Sequence, residues 1–137
     1  MASALYPYGK EAILNKQIDM DSDTIKVAGV STSDYTYDAG HQYKNIVPSY
    51  NLSIGAALSN KSISLGVFDA DDLTPYATNL AIDGTKTIDA WVLYYDTGDT
   101  STSPLIAYID ISANPITPNS SDVNITWDDG INKIFRI

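Results

Sequence analysis

The stretch that decides the fold class is Thr87-Ile-Asp-Ala-Trp-Val-Leu-Tyr-Tyr95, followed by Asp96-Thr-Gly-Asp-Thr-Ser-Thr-Ser103 and Pro104-Leu-Ile-Ala-Tyr-Ile-Asp-Ile111. Two runs rich in aromatic and branched residues flank a polar, glycine-containing connector, which predicts a β-hairpin. In the first run Trp91, Leu93 and Tyr95 share one face, and Val92 and Tyr94 share the other. Because both faces are apolar, we expect a central strand, covered by an opposing sheet on one side and by a neighbouring subunit, loop or helix on the other.

Other segments predict further short strands and one short helix. The strands are expected at residues 23–30, 50–58, 63–68 (with Ile63, Leu65 and Val67 on one side), and 123–127 and 133–137 joined by a turn. Residues 73–77, which contain Pro75, are expected at an edge or outside the sheet. Helix-forming residues predict a helix at Lys10–Lys16. This pattern favours an all-β fold, either a β-sandwich of jelly-roll or Ig-like type or a small barrel, with one short N-terminal helix. We expect a docking arm at residues 1–9 and a single β-sandwich domain at residues 10–137.

Composition limits the function classes. The chain has 137 residues, of which 44% are hydrophobic and 18% charged, so it is long enough for one domain with its own core. It has no cysteine, which excludes disulfides and zinc–thiolate sites. Its net charge of −9 disfavours nucleic acid and anionic membranes as partners. The sequence contains no long apolar run, and its start lacks the basic and apolar regions of a signal peptide, so we expect no membrane segment.

Catalytic patterns are absent from the sequence. His41 is the one histidine, and no Gly-x-Ser-x-Gly or glycine-rich phosphate loop occurs. The aspartate pairs fall in expected turns, where water keeps both carboxylates ionised, so they do not resemble the acid pair of a glycosidase. We therefore predict a protein that is not an enzyme and has no cofactor.

The metal-ligand candidates are Asp19, Asp21 and Asp23, whose spacing resembles the opening of a calcium loop. The EF-hand pattern requires glycine and glutamate where this chain has Thr24 and Val30. An acidic turn before the first long strand is the favoured interpretation, and a looser calcium site is the alternative. We expect no bound metal.

Ten tyrosines are the remaining signal. Tyrosine is common at protein interfaces because it combines a large contact area with a hydroxyl that tolerates water, although it also packs at the rims of β-sandwiches. The expected interface residues are Leu5, Tyr6 and Tyr8 of the arm together with Trp91 and Tyr94.

Several blocks along the chain together resemble a family of small structural proteins from tailed-bacteriophage virions. They are Ala4-Leu-Tyr-Pro-Tyr-Gly-Lys-Glu-Ala12, Ile18-Asp-Met-Asp-Ser-Asp-Thr-Ile-Lys-Val27, Asp34-Tyr-Thr-Tyr37, Gly66-Val-Phe-Asp-Ala-Asp-Asp72, Tyr95-Asp-Thr-Gly-Asp99, Thr102-Ser-Pro-Leu-Ile-Ala-Tyr-Ile-Asp110, Ile125-Thr-Trp127 and Lys133-Ile-Phe-Arg136. The resemblance implies an all-β virion component without enzymatic activity.

Within that family the resemblance favours a head decoration or cement protein. Such a protein would be made in the host cytoplasm, bind the major capsid protein on the capsid exterior, and form a dimer or trimer. The alternatives are a tail or fibre component that touches the host surface, and a carbohydrate-binding module. A sugar binder would present aromatic side chains together in one groove.

Overall fold

The hairpin predicted from residues 87–111 lies at the centre of the fold. The computed structural model describes residues 3–52 and 55–137. Its elements, in chain order, are β1 (Ala4–Leu5), α1 (Pro7–Leu14), β2 (Ile25–Val30), β3 (Ala56–Ala57), β4 (Ser62–Ser64), β5 (Val67–Asp69), β6 (Leu73–Ala77), β7 (Ala90–Tyr95), β8 (Leu105–Asp110), β9 (Val123–Ile125) and β10 (Phe135–Arg136), with 3-10 turns at Lys44–Ile46 and Tyr50–Leu52.

Within the described residues, the strands form three antiparallel sheets. The main sheet has the order β1-β8-β7-β2-β3, and two smaller sheets have the orders β10-β5-β4 and β6-β9. The prediction of an all-β fold with one short N-terminal helix is therefore confirmed. The helix begins at Pro7, earlier than expected from the sequence, because proline at the first helical position has its φ already set for the helix.

Strand β7 is the middle strand of the main sheet, as its two apolar faces predict. On one face, Leu93 packs in a cluster with Phe68 and Ile125 from the smaller sheets. On the other face, Val92 packs with residues from the N-terminal segment and from the region between β2 and β3. Complete burial of one aliphatic side chain of this kind stabilises the folded state by about 1.5–3 kcal/mol. The central hairpin therefore contributes side chains to both hydrophobic clusters, one on each face of the main sheet.

The segment predicted as one strand at residues 63–68 is instead a hairpin of two strands. Ser64 pairs with Val67, so Leu65 and Gly66 form a two-residue turn, with φ angles of 51° and 79°. The prediction that Leu65 shares a sheet face with Ile63 and Val67 is wrong, because glycine at the second turn position allows the chain to reverse there.

Two other strand predictions need correction. The segment at residues 50–58 is a 3-10 turn and the short strand β3, and the expected positions 53 and 54 lie outside the described residues. The last two strands do not pair with each other: β9 pairs with β6, and β10 pairs with β5. The turn at residues 128–132 therefore connects two sheets and not the two arms of one hairpin.

The prediction of a docking arm at residues 1–9 is wrong for residues 4–9, because these residues are built into the domain. Strand β1 pairs with β8, and the Tyr6 amide donates to the Ile106 carbonyl at 2.9 Å. Helix α1 then lies so close to β8 that a Cβ at Gly9 would sit 2.2 Å from the Leu105 carbonyl oxygen. Glycine is required here by close approach, and Met1 and Ala2 lie outside the described residues.

None of the helices in the described ranges has the length and apolar character needed to cross a bilayer.

Candidate functional surfaces

Three of the five expected interface residues are buried within the chain. Tyr6, Trp91 and Tyr94 are 0%, 4% and 6% exposed, so their apolar surface is already used in the core. Leu5 is half-buried, and only Tyr8, at 44% exposure, presents a large part of its side chain to solvent. The prediction of an interface at Tyr6, Trp91 and Tyr94 is wrong because aromatic content alone does not distinguish a core residue from a surface residue.

Tyr6 is held by a chain of hydrogen bonds that also uses the single histidine. Its hydroxyl lies 2.8 Å from that of Tyr35, and the Tyr35 hydroxyl lies 2.9 Å from His41 Nδ1. The Tyr37 hydroxyl donates to the Leu5 carbonyl at 3.2 Å. Burial raises the pKa of the Tyr6 hydroxyl far above its usual range, so it remains protonated. His41 therefore has a structural role in anchoring the N-terminal segment.

Tyr94 is covered by Lys44, which is a buried cation. Lys44 Nζ donates to the Val47 carbonyl at 2.7 Å and to Ser49 Oγ at 3.2 Å, and it lies 5.5 Å from the centre of the Tyr94 ring. Burial lowers the pKa of Lys44 and raises the pKa of Tyr94 to about 12. These groups close the region before β3 over the main sheet and offer no surface to a partner.

The three candidate calcium ligands form a turn. Asp19 Oδ1 accepts the amides of Asp21 at 3.0 Å and Ser22 at 3.3 Å, and Asp23 Oδ2 accepts the Asp19 amide at 2.8 Å. Hydrogen bonds from Ser22 and the Asp21 amide lower the pKa of Asp19. Within residues 3–52 and 55–137, no group of three or more histidine or acidic side chains is placed to hold a metal ion. The geometry is that of the acidic turn favoured from the sequence.

Exposed apolar side chains surround the small sheet β10-β5-β4. Leu65 is 92% exposed, Ile131 79%, Ile63 54% and Ile137 53%. We call these four residues the apolar end. Leu65 and Ile131 line a groove of about 470 Å³ on one face of the sheet, and Ile63 and Ile137 line a small cavity of about 70 Å³ on the other. Single exposed apolar residues are common on protein surfaces, and these four, two on each face of one small sheet, are the candidate contact residues.

Leu65 stands out in this group because its backbone is strained. Both turn residues have positive φ, as in the type I′ turn, where Asn-Gly is the preferred pair. Leucine in this conformation costs about 1–2 kcal/mol, because its Cβ approaches a carbonyl oxygen. Because the leucine side chain is 92% exposed, it adds little buried apolar area to offset this cost. Residues that break a local rule without a structural gain often serve a function.

Sequence reasoning missed the apolar end, although one signal was available. Gly66 lies between two short β-prone runs, and a glycine-containing pair between such runs is a hairpin signal. Reading that signal would have placed Leu65 at an exposed turn.

The chain matches no protein-family model, no curated protein and no solved structure.

Proposed function

We propose that this chain is a non-enzymatic structural protein of a tailed-phage virion, which binds the outside of the head as a decoration or cement protein. The collinear resemblance of its sequence to such proteins supports the class. The observation that supports a contact function is the apolar end, and above all Leu65, an exposed leucine in a strained turn. The partner in this proposal is the major capsid protein.

The mechanism is burial of apolar surface across capsomer boundaries. Complete burial of one leucine or isoleucine side chain contributes about 1.5–3 kcal/mol, so the apolar end supplies an adhesive surface for a shell that expands under internal DNA pressure. Lys133 and Arg136 line the same groove as Leu65, in a chain whose net charge is −9. Asp69 and Asp129 also line this groove, and Lys133 Nζ lies 3.7 Å from Asp129 Oδ1, so the groove carries both signs of charge. The negative charge of the chain as a whole keeps free subunits apart.

We also propose that the fold is a β-sandwich and that the chain assembles as a dimer or trimer. Packing of one face of the main sheet against Phe68 and Ile125 of the smaller sheets supports a β-sandwich, of jelly-roll or Ig-like type. Decoration proteins of this kind are expected to act as dimers or trimers, in keeping with the symmetry of the shell.

The first test is the copy number of this chain in purified particles, measured by quantitative mass spectrometry against the major capsid protein. A ratio of about one, or a simple fraction such as about one third, supports decoration of the head, because shell symmetry fixes the stoichiometry. A ratio of a few per hundred supports a tail or fibre component instead. Absence from particles refutes the virion proposal.

A second test asks whether the apolar end makes the contact. The Leu65→Ala variant should bind undecorated heads about tenfold or more weakly, because one buried side chain is lost from the interface. Ile82→Ala is the matched control, since Ile82 is 52% exposed on the loop before β7 and lines none of the grooves at the apolar end. Equal occupancy of heads by the Leu65→Ala variant and the wild-type chain would contradict the proposed contact surface.

A further inference from the structure

A second surface depression lies where α1, residues 42–43 and the β7–β8 connector meet. It has a volume of about 320 Å³, within the range of small-ligand pockets. Three tyrosines line it: Tyr8, which is 44% exposed, and the half-buried Tyr43 and Tyr95. We call this depression the tyrosine pocket. None of its lining residues belongs to the apolar end.

The walls of the tyrosine pocket are fixed by backbone hydrogen bonds. The Leu105 amide donates to the Gln42 carbonyl at 2.8 Å, and the Lys44 amide donates to the Ser103 carbonyl at 2.9 Å. In the connector, the hydroxyls of Thr97 and Thr102 lie 2.7 Å apart. The contact of Gly9 with β8 fixes the helix on the third side. The pocket is therefore formed before any ligand arrives, which lowers the cost of binding.

The polar groups of the pocket are almost all neutral. Gln17 and Gln42 supply amides that both donate and accept hydrogen bonds, whereas the Thr97 and Thr102 hydroxyls, which bond each other and the Asp99 carbonyl, offer a ligand mainly acceptor lone pairs. The Gln42 amide donates to the Tyr43 hydroxyl at 3.1 Å, which orients the two side chains. Among the described residues that line the pocket, Glu11 is the one with a charged side chain. Together with a net charge of −9, it disfavours anionic ligands.

We propose that the tyrosine pocket binds one unit of a neutral saccharide. A pyranose ring has an apolar face that packs on an aromatic ring and an edge of hydroxyls that pair with amides, hydroxyls and a carboxylate. A quaternary ammonium ligand would also use aromatic faces and a carboxylate, but it has no hydroxyls to pair with the amides of Gln17 and Gln42. The pocket chemistry therefore fits a sugar better. This inference is independent of the proposed contact with the capsid.

The test is a titration of the ¹⁵N-labelled chain, followed by amide chemical shifts, with the methyl glycosides of glucose, galactose, mannose and N-acetylglucosamine. For at least one sugar, the shifts of Tyr8, Gln42 and Thr97 should move with concentration and saturate. Tyr8→Ala should weaken that binding by about tenfold, whereas Tyr8→Phe, which keeps the ring, should retain it. The Ile82→Ala variant is the control and should bind as the wild type does.

Three outcomes would overturn the inference. One is the absence of shifts in the pocket for all four glycosides. Another is a response confined to residues outside the pocket, and the third is a response to choline chloride with none to the sugars. Because Tyr8 is exposed, its substitution leaves the core intact, and unchanged shifts for buried residues such as Leu93 will confirm that the variant is folded.

Discussion

Replacing Leu65 with asparagine should make the protein more stable and less able to bind its partner. The leucine is 92% exposed, so losing its remaining burial costs at most about 0.2 kcal/mol. Its backbone has a φ of 51°, where an ordinary side chain costs about 1–2 kcal/mol and asparagine costs less. The net expectation is a gain of about 1 kcal/mol in the free energy of unfolding, or about 4 °C in Tm.

Urea unfolding measures this gain directly. The two tryptophans, Trp91 and Trp127, are both buried, so their fluorescence reports the loss of the core. Leu65→Ala is the matched control: it removes the apolar side chain but keeps the strained backbone, so its stability should stay within about 0.5 kcal/mol of the wild type. Both variants should lose binding to heads. A Leu65→Asn variant that is less stable than the wild type would refute the argument that this turn is strained.

Three further predictions concern the core and its edges. Tyr6→Ala should lower the free energy of unfolding by about 4 kcal/mol and Tyr6→Phe by about 1 kcal/mol, measured in urea, because Tyr6 is a fully buried part of the core. Gly9→Ala should cost about 3 kcal/mol by the same assay despite the better helix propensity of alanine, since its Cβ would clash with the Leu105 carbonyl; Lys10→Ala, at the exposed next position, should be neutral. Lys26 Nζ lies 2.6 Å from Asp96 Oδ2, and this hydrogen bond lowers the pKa of Asp96. The stabilisation by this ion pair is present above the unfolded pKa of about 4 and is lost as the pH falls through the lower folded pKa. Asp96→Asn should therefore cost up to about 1 kcal/mol at pH 7, and the cost should shrink as the pH falls below about 4.

The central hairpin could be predicted from sequence because two signals agree there. The apolar residues on both faces of residues 91–95 require cover on both sides, and the polar connector limits the pairing to a hairpin. In the short strands the apolar pattern and the turn signals do not agree. At residues 63–68, alternation of apolar residues predicts one strand, while the glycine that breaks it into a hairpin is a single residue. Where a strand is three residues long, periodicity cannot outweigh one turn residue.

The burial of Tyr6, Trp91 and Tyr94 could not be predicted from the sequence, because aromatic content measures apolar area and not its position in the fold. Tyr6 and Tyr8 look equivalent in sequence, yet Tyr6 is fully buried and Tyr8 is exposed. They lie on either side of Pro7, where the strand β1 ends and the helix begins, and this change of direction turns one ring inward and the other outward. The tertiary hydrogen bond from Tyr6 to Tyr35, across 29 residues, is equally invisible in a local pattern.

The two proposed surfaces make a combined prediction, because they share no lining residue although α1 borders both. Ile13 lines the small cavity at the apolar end, whereas Glu11 lines the tyrosine pocket on another side of the same helix. Substitutions with no shared partners usually have additive effects. Leu65→Asn should therefore weaken head binding and leave the sugar-induced shifts unchanged, and Tyr8→Ala should do the reverse.

The double variant Leu65→Asn/Tyr8→Ala should show both losses, each as large as in the single variant, in a binding assay with heads and a titration with the glycoside. If Tyr8→Ala also weakens head binding, the helix belongs to the capsid contact, and the boundary of that surface must be moved. If Leu65→Asn also removes the sugar response, the two surfaces are coupled through α1. In either case the two surfaces would not act separately.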